Sequence, residues 1–478
     1  MMKNKDSIAV VVAFAVTLPV LGFFSGCATV PDSQVGRLPV AVPENWDYQQ
    51  ADPEPIATGW LADFEAPALV DWVTLALEQN FDLRATAARL AAARADAVIA
   101  GANLSPQLGI GMSGARQKFS LRARGFGDTG STSVIFDNFD LGASLNWEID
   151  VWGRLRDTQS AAMADVEVAV ATYQGARLSL AARVCTSWFD VIEAQQQLRL
   201  SAETVASFES TESVIAQRFE NGVSSALDLH LIRSQLEAAR ADLAVREQRL
   251  DSAVRGFQLL VGNYPKELPV AGVASFPEIK TRVPAGLPSD LLYRRPDLVV
   301  AERRVAAAAK RVGAAKKALL PSFSLTSAYG TSSDQLSDLL TSSFSVWNVL
   351  GNIAQPVFQG RRLKAGVQKA QANLELSIAE YGGVALVAFR EVEQSLAAGD
   401  YLEKRREHLE ATAKELKAAE ALAWARYQRG LSDIITVLDT QRRSYESASF
   451  LIVVNREQLL NRVQLYLALG GDFQIAGE

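Results

Sequence analysis

Residues 155–184 read LRDTQSAAMADVEVAVATYQGARLSLAARV. Their apolar positions fall at Ala162, Val166, Ala169, Tyr173, Ala176, Leu180 and Val184. Steps of four and three alternate, which is the seam of a long helix packed against another helix. Adding 208 to each number gives Ala370, Leu374, Ser377, Tyr381, Val384, Ala388 and Val392, the same seam with its tyrosine. The stretch therefore belongs to an internal duplication. Arg154-Leu155-Arg156 matches Arg362-Leu363-Lys364 at that offset. Arg218-Phe219-Glu220-Asn221-Gly222-Val223 likewise matches Arg426-Tyr427-Gln428-Arg429-Gly430-Leu431. Upstream, Asp82-Leu83 pairs with Asp297-Leu298, and Pro106 with Pro321, at an offset of 215. The first half thus holds extra length between Pro106 and Leu155. We assign it to a loop within the run Arg116 to Asp140.

Outward from the seam, the chain from Leu155 to about Phe219 lacks proline and forms a rod of roughly 95 Å at about 1.5 Å per residue. Gly222 breaks it, and the chain returns from about Ala226 to Gly262. The second copy runs Leu363 to about Tyr427, turns at Gly430 and returns to about Leu469. Each half is an antiparallel helical hairpin. Ahead of each hairpin the period changes to two. Leu108, Ile110 and Met112 alternate with Gln107, Gly109, Gly111 and Ser113. Leu141, Ala143, Leu145, Trp147, Ile149 and Val151 alternate with Gly142, Ser144, Asn146, Glu148 and Asp150. Phe323, Leu325 and Tyr329 mark a third strand and Trp347 to Val357 a fourth, with Pro356 at its end. Runs of about ten residues span a bilayer as tilted strands. Four strands cannot close a barrel, and an open edge in lipid leaves backbone groups unpaired. Several copies must therefore share one barrel, with Asn146, Glu148 and Asp150 facing a wet lumen. The competing reading is a structural or adaptor-like periplasmic lipoprotein with a small β-domain, which a soluble, non-assembling protein would favour.

The chain has 478 residues, 49% of them hydrophobic and 21% charged, with a net charge of −6. That gives no electrostatic footprint for nucleic acid. Two cysteines and two histidines argue against a Cys/His metal centre and leave few general bases, so no enzyme, cofactor or metal site is expected. Lys3 and Lys5 precede an apolar run, Ile8 to Phe24, and Phe24-Ser25-Gly26-Cys27 resembles a lipobox. Cys27 is thus the expected lipidation site and residues 1–26 the signal peptide. Residues 27–67 are rich in proline and read as a tether laid along the surface. The first repeat covers 68–262 (β-hairpin 107–151, helical hairpin 155–262). An equatorial linker covers 263–290. The second repeat covers 291–471 (β-hairpin 322–358, helical hairpin 363–469), and 472–478 form a tail.

Several stretches resemble outer-membrane efflux channels of the TolC/OprM type, in the NodT lipoprotein branch. They are Gly286-Leu287-Pro288-Ser289-Asp290-Leu291-Leu292-Tyr293-Arg294-Arg295-Pro296-Asp297, Ala318 to Leu325, Asp150 to Leu155, and Gln355 to Gly360. The resemblance implies a mainly α fold with β. It implies a homotrimeric tube whose four strands per chain make a twelve-stranded shared barrel above a helical barrel crossing the periplasm. It also implies a passive exit channel for efflux, docked to a periplasmic adaptor protein and an inner-membrane pump of the proton-driven RND type. Export through a type I secretion partner stays open, and substrates are set by the pump. At the gate the resemblance implies that Tyr427 ties the hairpins through Asp228, and that Asp433 and Asp439 narrow the pore. Ser432 stands where the pattern has an arginine tether, and Thr436 where it has an acid. Read from the residues alone, Asp433 and Asp439 are equally helix N-terminal capping groups. Arg218 and Arg426 equally complement helix C-termini, and Gly222 and Gly430 end helices in left-handed geometry. Val223 and Leu431 are expected adaptor contacts. Gly109-x-Gly111-x-x-Gly114 and Gly125-x-Gly127-x-x-Gly130 do not open a helix after a strand and are set aside as nucleotide motifs. Asp137-Asn138-Phe139-Asp140 lacks the pattern of a calcium loop. His230 and His408 read as solvated.

Overall fold

In a computed structural model the described residues are 38–48, 59–120, 133–266, 275–279 and 283–471. Cys27, the signal segment, the tail and the second glycine motif lie outside them. Pro67–Gln79 (α1) and Phe81–Ala102 (α2) lead into strands Gln107–Ser120 (β1) and Ser133–Ile149 (β2). The long helix Arg154–Glu220 (α3) and its return Ala226–Val261 (α4) follow. The turn Leu291–Arg294 (α5), Pro296–Lys317 (α6), Ser322–Ser333 (β3), Ser345–Ala354 (β4), Arg362–Gln428 (α7) and Ile434–Ala468 (α8) repeat the plan. The duplication is metrical. α3 and α7 each have 67 residues and start 208 apart; α2 and α6 each have 22 and start 215 apart. At about 1.5 Å per residue each long helix spans roughly 100 Å. No helix among the described residues is long and apolar enough to cross a membrane.

The four strands form one antiparallel sheet in the order β1-β2-β3-β4. Partnered residues share a face, so the register sorts the side chains. Leu108↔Leu145, Ile110↔Ala143 and Met112↔Leu141 lie on the same face as Trp147↔Leu325, Phe323↔Ile353 and Tyr329↔Trp347. Ile110 is 82% exposed and Trp347 74%, so within one chain nothing covers this apolar face. The opposite face carries Gln107↔Asn146, Gly109↔Ser144, Glu148↔Ser324 and Ser324↔Asn352. β4 is less regular, placing Val346 and Leu350 on this polar face. Where the third strand crosses the second, Gly142 and Gly330 are partners. A Cβ on Gly330 would sit 2.3 Å from the Leu141 carbonyl oxygen. The glycines are there because two backbones meet.

Several expectations are corrected. The run Arg116 to Asp140 is not a loop where described: Arg116↔Asp137 to Ser120↔Ser133 are paired strand. The first hairpin's strands are simply longer, 14 and 17 residues against 12 and 10. β2 ends at Ile149 rather than Val151, and the fourth strand is Ser345–Ala354 rather than Trp347 to Val357. Asp150 does not face a lumen. Its carboxylate accepts from the amides of Leu155 (3.1 Å) and Arg156 (2.9 Å), anchoring the start of α3. Glu148 is held by both oxygens on Arg154, at 2.7 and 2.8 Å. The proline-rich segment is not confined to the surface. Trp46, Trp60, Leu61 and Phe64 are buried, with Trp60 stacked on Tyr466 at 5.3 Å and Phe64 against Phe189 at 5.3 Å. These rings enter the equatorial core, where α1, α3, α6, α7 and α8 converge. There the buried Arg295 of the signature motif pairs with Asp297 (2.7 Å) and Glu391 (2.9 Å) and donates to the Ala468 carbonyl at 3.0 Å. It staples α6 to α7 and α8. The seam holds best in α7, where Tyr381, Ala388 and Val392 are buried. In α3 the seam positions Leu180 and Val184 are buried, while Ala162, Val166, Ala169, Tyr173 and Ala176 stay half-exposed and Ala161, Ala164, Ala171 and Leu178 are buried beside them. Cys185 lies fully buried in this core, and burial pushes its thiol up.

Gly330→Val should abolish β2–β3 pairing and cut accumulation in the outer-membrane fraction several-fold, since overpacking against backbone costs about 1–3 kcal/mol or more. Gly351→Val, where an added Cβ meets nothing within 4 Å, should accumulate normally.

Candidate functional site

Opposite the sheet, both helical hairpins end together. Their tips share a second apolar cluster that includes Phe208, Ile215, Ile232, Tyr427, Ile434 and Val437. The two turns are built alike. Gly222 (φ 71) and Gly430 (φ 70) adopt left-handed geometry. The Val223 amide donates to Arg218 O at 2.8 Å and the Leu431 amide to Arg426 O at 2.9 Å, closing each helix with a Schellman motif. The residue after each glycine is exposed, Val223 by 64% and Leu431 by 63%.

The return helices are capped in mirror fashion. Ser225 and Asp433 are equivalent N-caps, 208 residues apart. At the first tip a serine caps and an aspartate stands three residues on. The Ser225 amide donates to Asp228 Oδ2 at 3.0 Å, and the Asp228 amide to Ser225 Oγ at 3.2 Å. At the second tip the aspartate caps and Thr436 stands three residues on, giving Asp433 Oδ1 both its amide (2.8 Å) and its hydroxyl (2.6 Å). These bonds, the hydroxyl's first, hold the Asp433 carboxyl below the usual carboxylate range. Asp433 is exposed, so capping and a pore-facing charge are compatible. Asp439 is paired along its own helix with Arg442 at 2.8 Å and Arg443 at 3.8 Å.

Within the chain the Tyr427 hydroxyl lies 3.2 Å from Ser224 Oγ, and the Asp228 carboxylate closes the capping box with Ser225. Tyr427 is nearly buried, its ring stacked on Trp424 at 5.9 Å. The Arg218 guanidinium sits 5.0 Å from that ring and donates to Gln428 O at 3.4 Å. Arg426 stays at its own turn, donating to Leu431 O at 3.4 Å. Ser224 and Trp424 were not legible as tip residues from sequence. Only the equivalence of Ser224 with Ser432 hinted at the first. His230 and His408 are exposed, and among the described residues no cluster of three or more His, Cys, Asp or Glu could hold a metal.

A sheet with one apolar and one polar face, mounted on helices of roughly 100 Å, defines an outer-membrane channel subunit. The family model for outer membrane efflux proteins matches residues 72–263 and 287–471, and the chain belongs to that family. It is 32% identical over 464 residues to the toluene efflux pump outer membrane protein TtgF of Pseudomonas putida, covering 94% of each. It is 30% identical over 459 residues to the cation efflux system protein CusC of Escherichia coli, covering 94% of this chain and 96% of that one. The solved structure of the outer-membrane channel OprN superposes with a TM-score of 0.85 at 27% identity, covering 91% of this chain and 98% of that one. The chain is an outer-membrane efflux protein of a tripartite system.

Replacing Asp433 separates its two roles. Asp433→Ser should keep the cap and resist tip proteolysis like the wild type. Asp433→Ala should lose about 1 kcal/mol of local stability and be nicked faster between Arg429 and Thr436.

Proposed function

We propose that this chain is one third of a homotrimeric passive duct that carries small molecules from a periplasmic adaptor and an inner-membrane pump, of RND type, to the exterior. The protein performs no chemistry and holds no cofactor. A lipid on Cys27 adds a second attachment to the membrane, and the helical tips form the periplasmic gate. Val223 and Leu431, exposed beyond Gly222 and Gly430, are the adaptor contacts.

The observation that carries this reading is the sheet. Its apolar face extends over all four strands, giving way to the Arg116–Asp137 pair toward the β1–β2 turn, and within one chain β1 and β4 are edges. In lipid, edge amides and carbonyls need partners, so the β1 edge of one copy must meet the β4 edge of the next. The smallest outer-membrane barrels need about eight strands, which two copies barely reach. Three copies give room for a lumen lined by Gln107, Asn146, Ser324 and Asn352. That lining is mostly hydroxyls and amides; the two carboxylates on the same face, Asp140 and Glu148, are engaged by Ser113 and Asn138 and by Arg154. Relatives at similar identity are named for toluene and for cations, which supports selection by the pump.

At the other end, three symmetry-related Asp433 carboxylates concentrate negative potential and favour cations. Because the pKa of Asp433 is depressed, it stays charged until the pH falls through that lowered value. Its ordinary value is 3.8. In planar bilayers the purified protein should therefore conduct in small cation-selective steps, and keep that selectivity at about pH 4, where an ordinary carboxylate is already half neutral. Asp433→Asn should conduct without the selectivity at every pH. A preparation that never conducts, even with the tips loosened by Tyr427→Leu, would mean that the sheets do not form a pore.

A further inference from the structure

Duplication makes the two tips alike, so the place where they differ is informative. Arg218 and Arg426 stand at the same position, four residues before the glycine of each turn. Arg426 serves its own turn. Arg218 crosses to the other hairpin. It donates to the carbonyl of Gln428, the last residue of α7, and lays its guanidinium over the Tyr427 ring. From the same side, Ser224 meets the Tyr427 hydroxyl. Three contacts thus run from the first tip to one aromatic residue and its neighbour on the second. None of them uses a carboxylate.

We propose that Arg218 is the latch of the gate: its guanidinium, seated between the end of α7 and the Tyr427 ring, holds the second hairpin against the first, and opening requires it to leave. This rests on the reading of the chain as a gated duct. The physics suits a latch that must release. Guanidinium is weakly hydrated and stacks on aromatic faces, so the seat is favourable without an ion pair. It also faces the carbonyl end of α7, where the helix dipole favours a cation. Yet Arg218 Nε is buried with no hydrogen-bond partner, and a buried donor left unmade opposes the latched state. The attraction and the unmade donor act in opposite directions, so the seat is not held as firmly as a fully bonded arginine.

The test is the open-to-closed ratio of single channels in planar bilayers. Unfolding of the assembled protein is followed in parallel. Arg218→Gln should raise the ratio roughly two- to thirty-fold, the range spanned by cation–π strengths. Arg218→Lys, charged but without a planar face, should fall between. Tyr427→Leu keeps the arginine and removes its seat, and should match Arg218→Gln; it serves equally if the arginine variant does not accumulate. Combining Arg218→Gln with Tyr427→Leu should add little to either alone. Arg240→Gln, which removes an exposed arginine within the first hairpin, should change nothing. If Arg218→Gln and Tyr427→Leu conduct with the wild-type ratio, or lower the unfolding temperature without moving the ratio, or act additively, the latch is overturned while the channel stands. If the wild type itself never conducts, the channel reading fails and the latch with it.

Discussion

A four-stranded sheet with an apolar face has two edges, and a backbone edge in hydrocarbon has nowhere to send its hydrogen bonds. The rest of this molecule follows from that constraint. Within one chain the β1 and β4 edges stay open. Ile110 and Trp347 are exposed in the single chain because lipid is their solvent. Long helices continue the strands, so the register of the sheet fixes where each helix begins. Asp150, directly after β2, holds the first amides of α3, while Glu148, the last polar residue of that strand face, grips Arg154. The junction between membrane and periplasm is thus rigid, locked by charge-assisted bonds.

Below the junction the two repeats are joined at two levels. The equatorial core gathers aromatic residues that precede the first repeat, Trp46, Trp60 and Phe64, together with the stapling Arg295. The tips share a smaller core. Between them, α3 and α8 meet through polar pairs such as Gln197 with Ser449 at 2.8 Å. The bundle thus has a larger core at the equator than at the tips. The exchange of serine and aspartate between the two N-caps places the charge differently, on the cap itself at Asp433 and three residues into the helix at Asp228.

The strands were legible because a sheet with lipid on one side and water on the other writes a period of two into the chain. Hence Leu108 to Met112 and Leu141 to Ile149 could be assigned directly. The duplication was legible because equal lengths preserve offsets, and Gly222 with Gly430 located both turns. What failed was local. Asp150 alternates with the apolar residues and so looked like a lumen charge, yet the strand had already ended and a helix needed its first amides capped. The α3 seam matches the residues that one chain buries at Leu180 and Val184 but lies one or two positions from them before that, because an alanine-rich helix offers small residues on more than one face. Trp46 and Trp60 sit among prolines, which signalled extension but not where the extended chain would lie.

By itself, the sequence determined the class of the protein: two copies of a strand pair and a helical hairpin, since periodicity and repeat length are properties of the chain alone. It also determined that one chain is incomplete, since four strands cannot close. Only the tertiary structure decided the partners of the residues at the helical tips. Arg218 and Arg426 are the same residue in the same motif, and no local rule separates them. They part company because the first tip lies across the end of α7, a neighbour more than two hundred residues away in sequence. Side-chain partnership between distant segments depends on how the hairpins cross, and crossing is fixed by the packing of the whole bundle rather than by either tip.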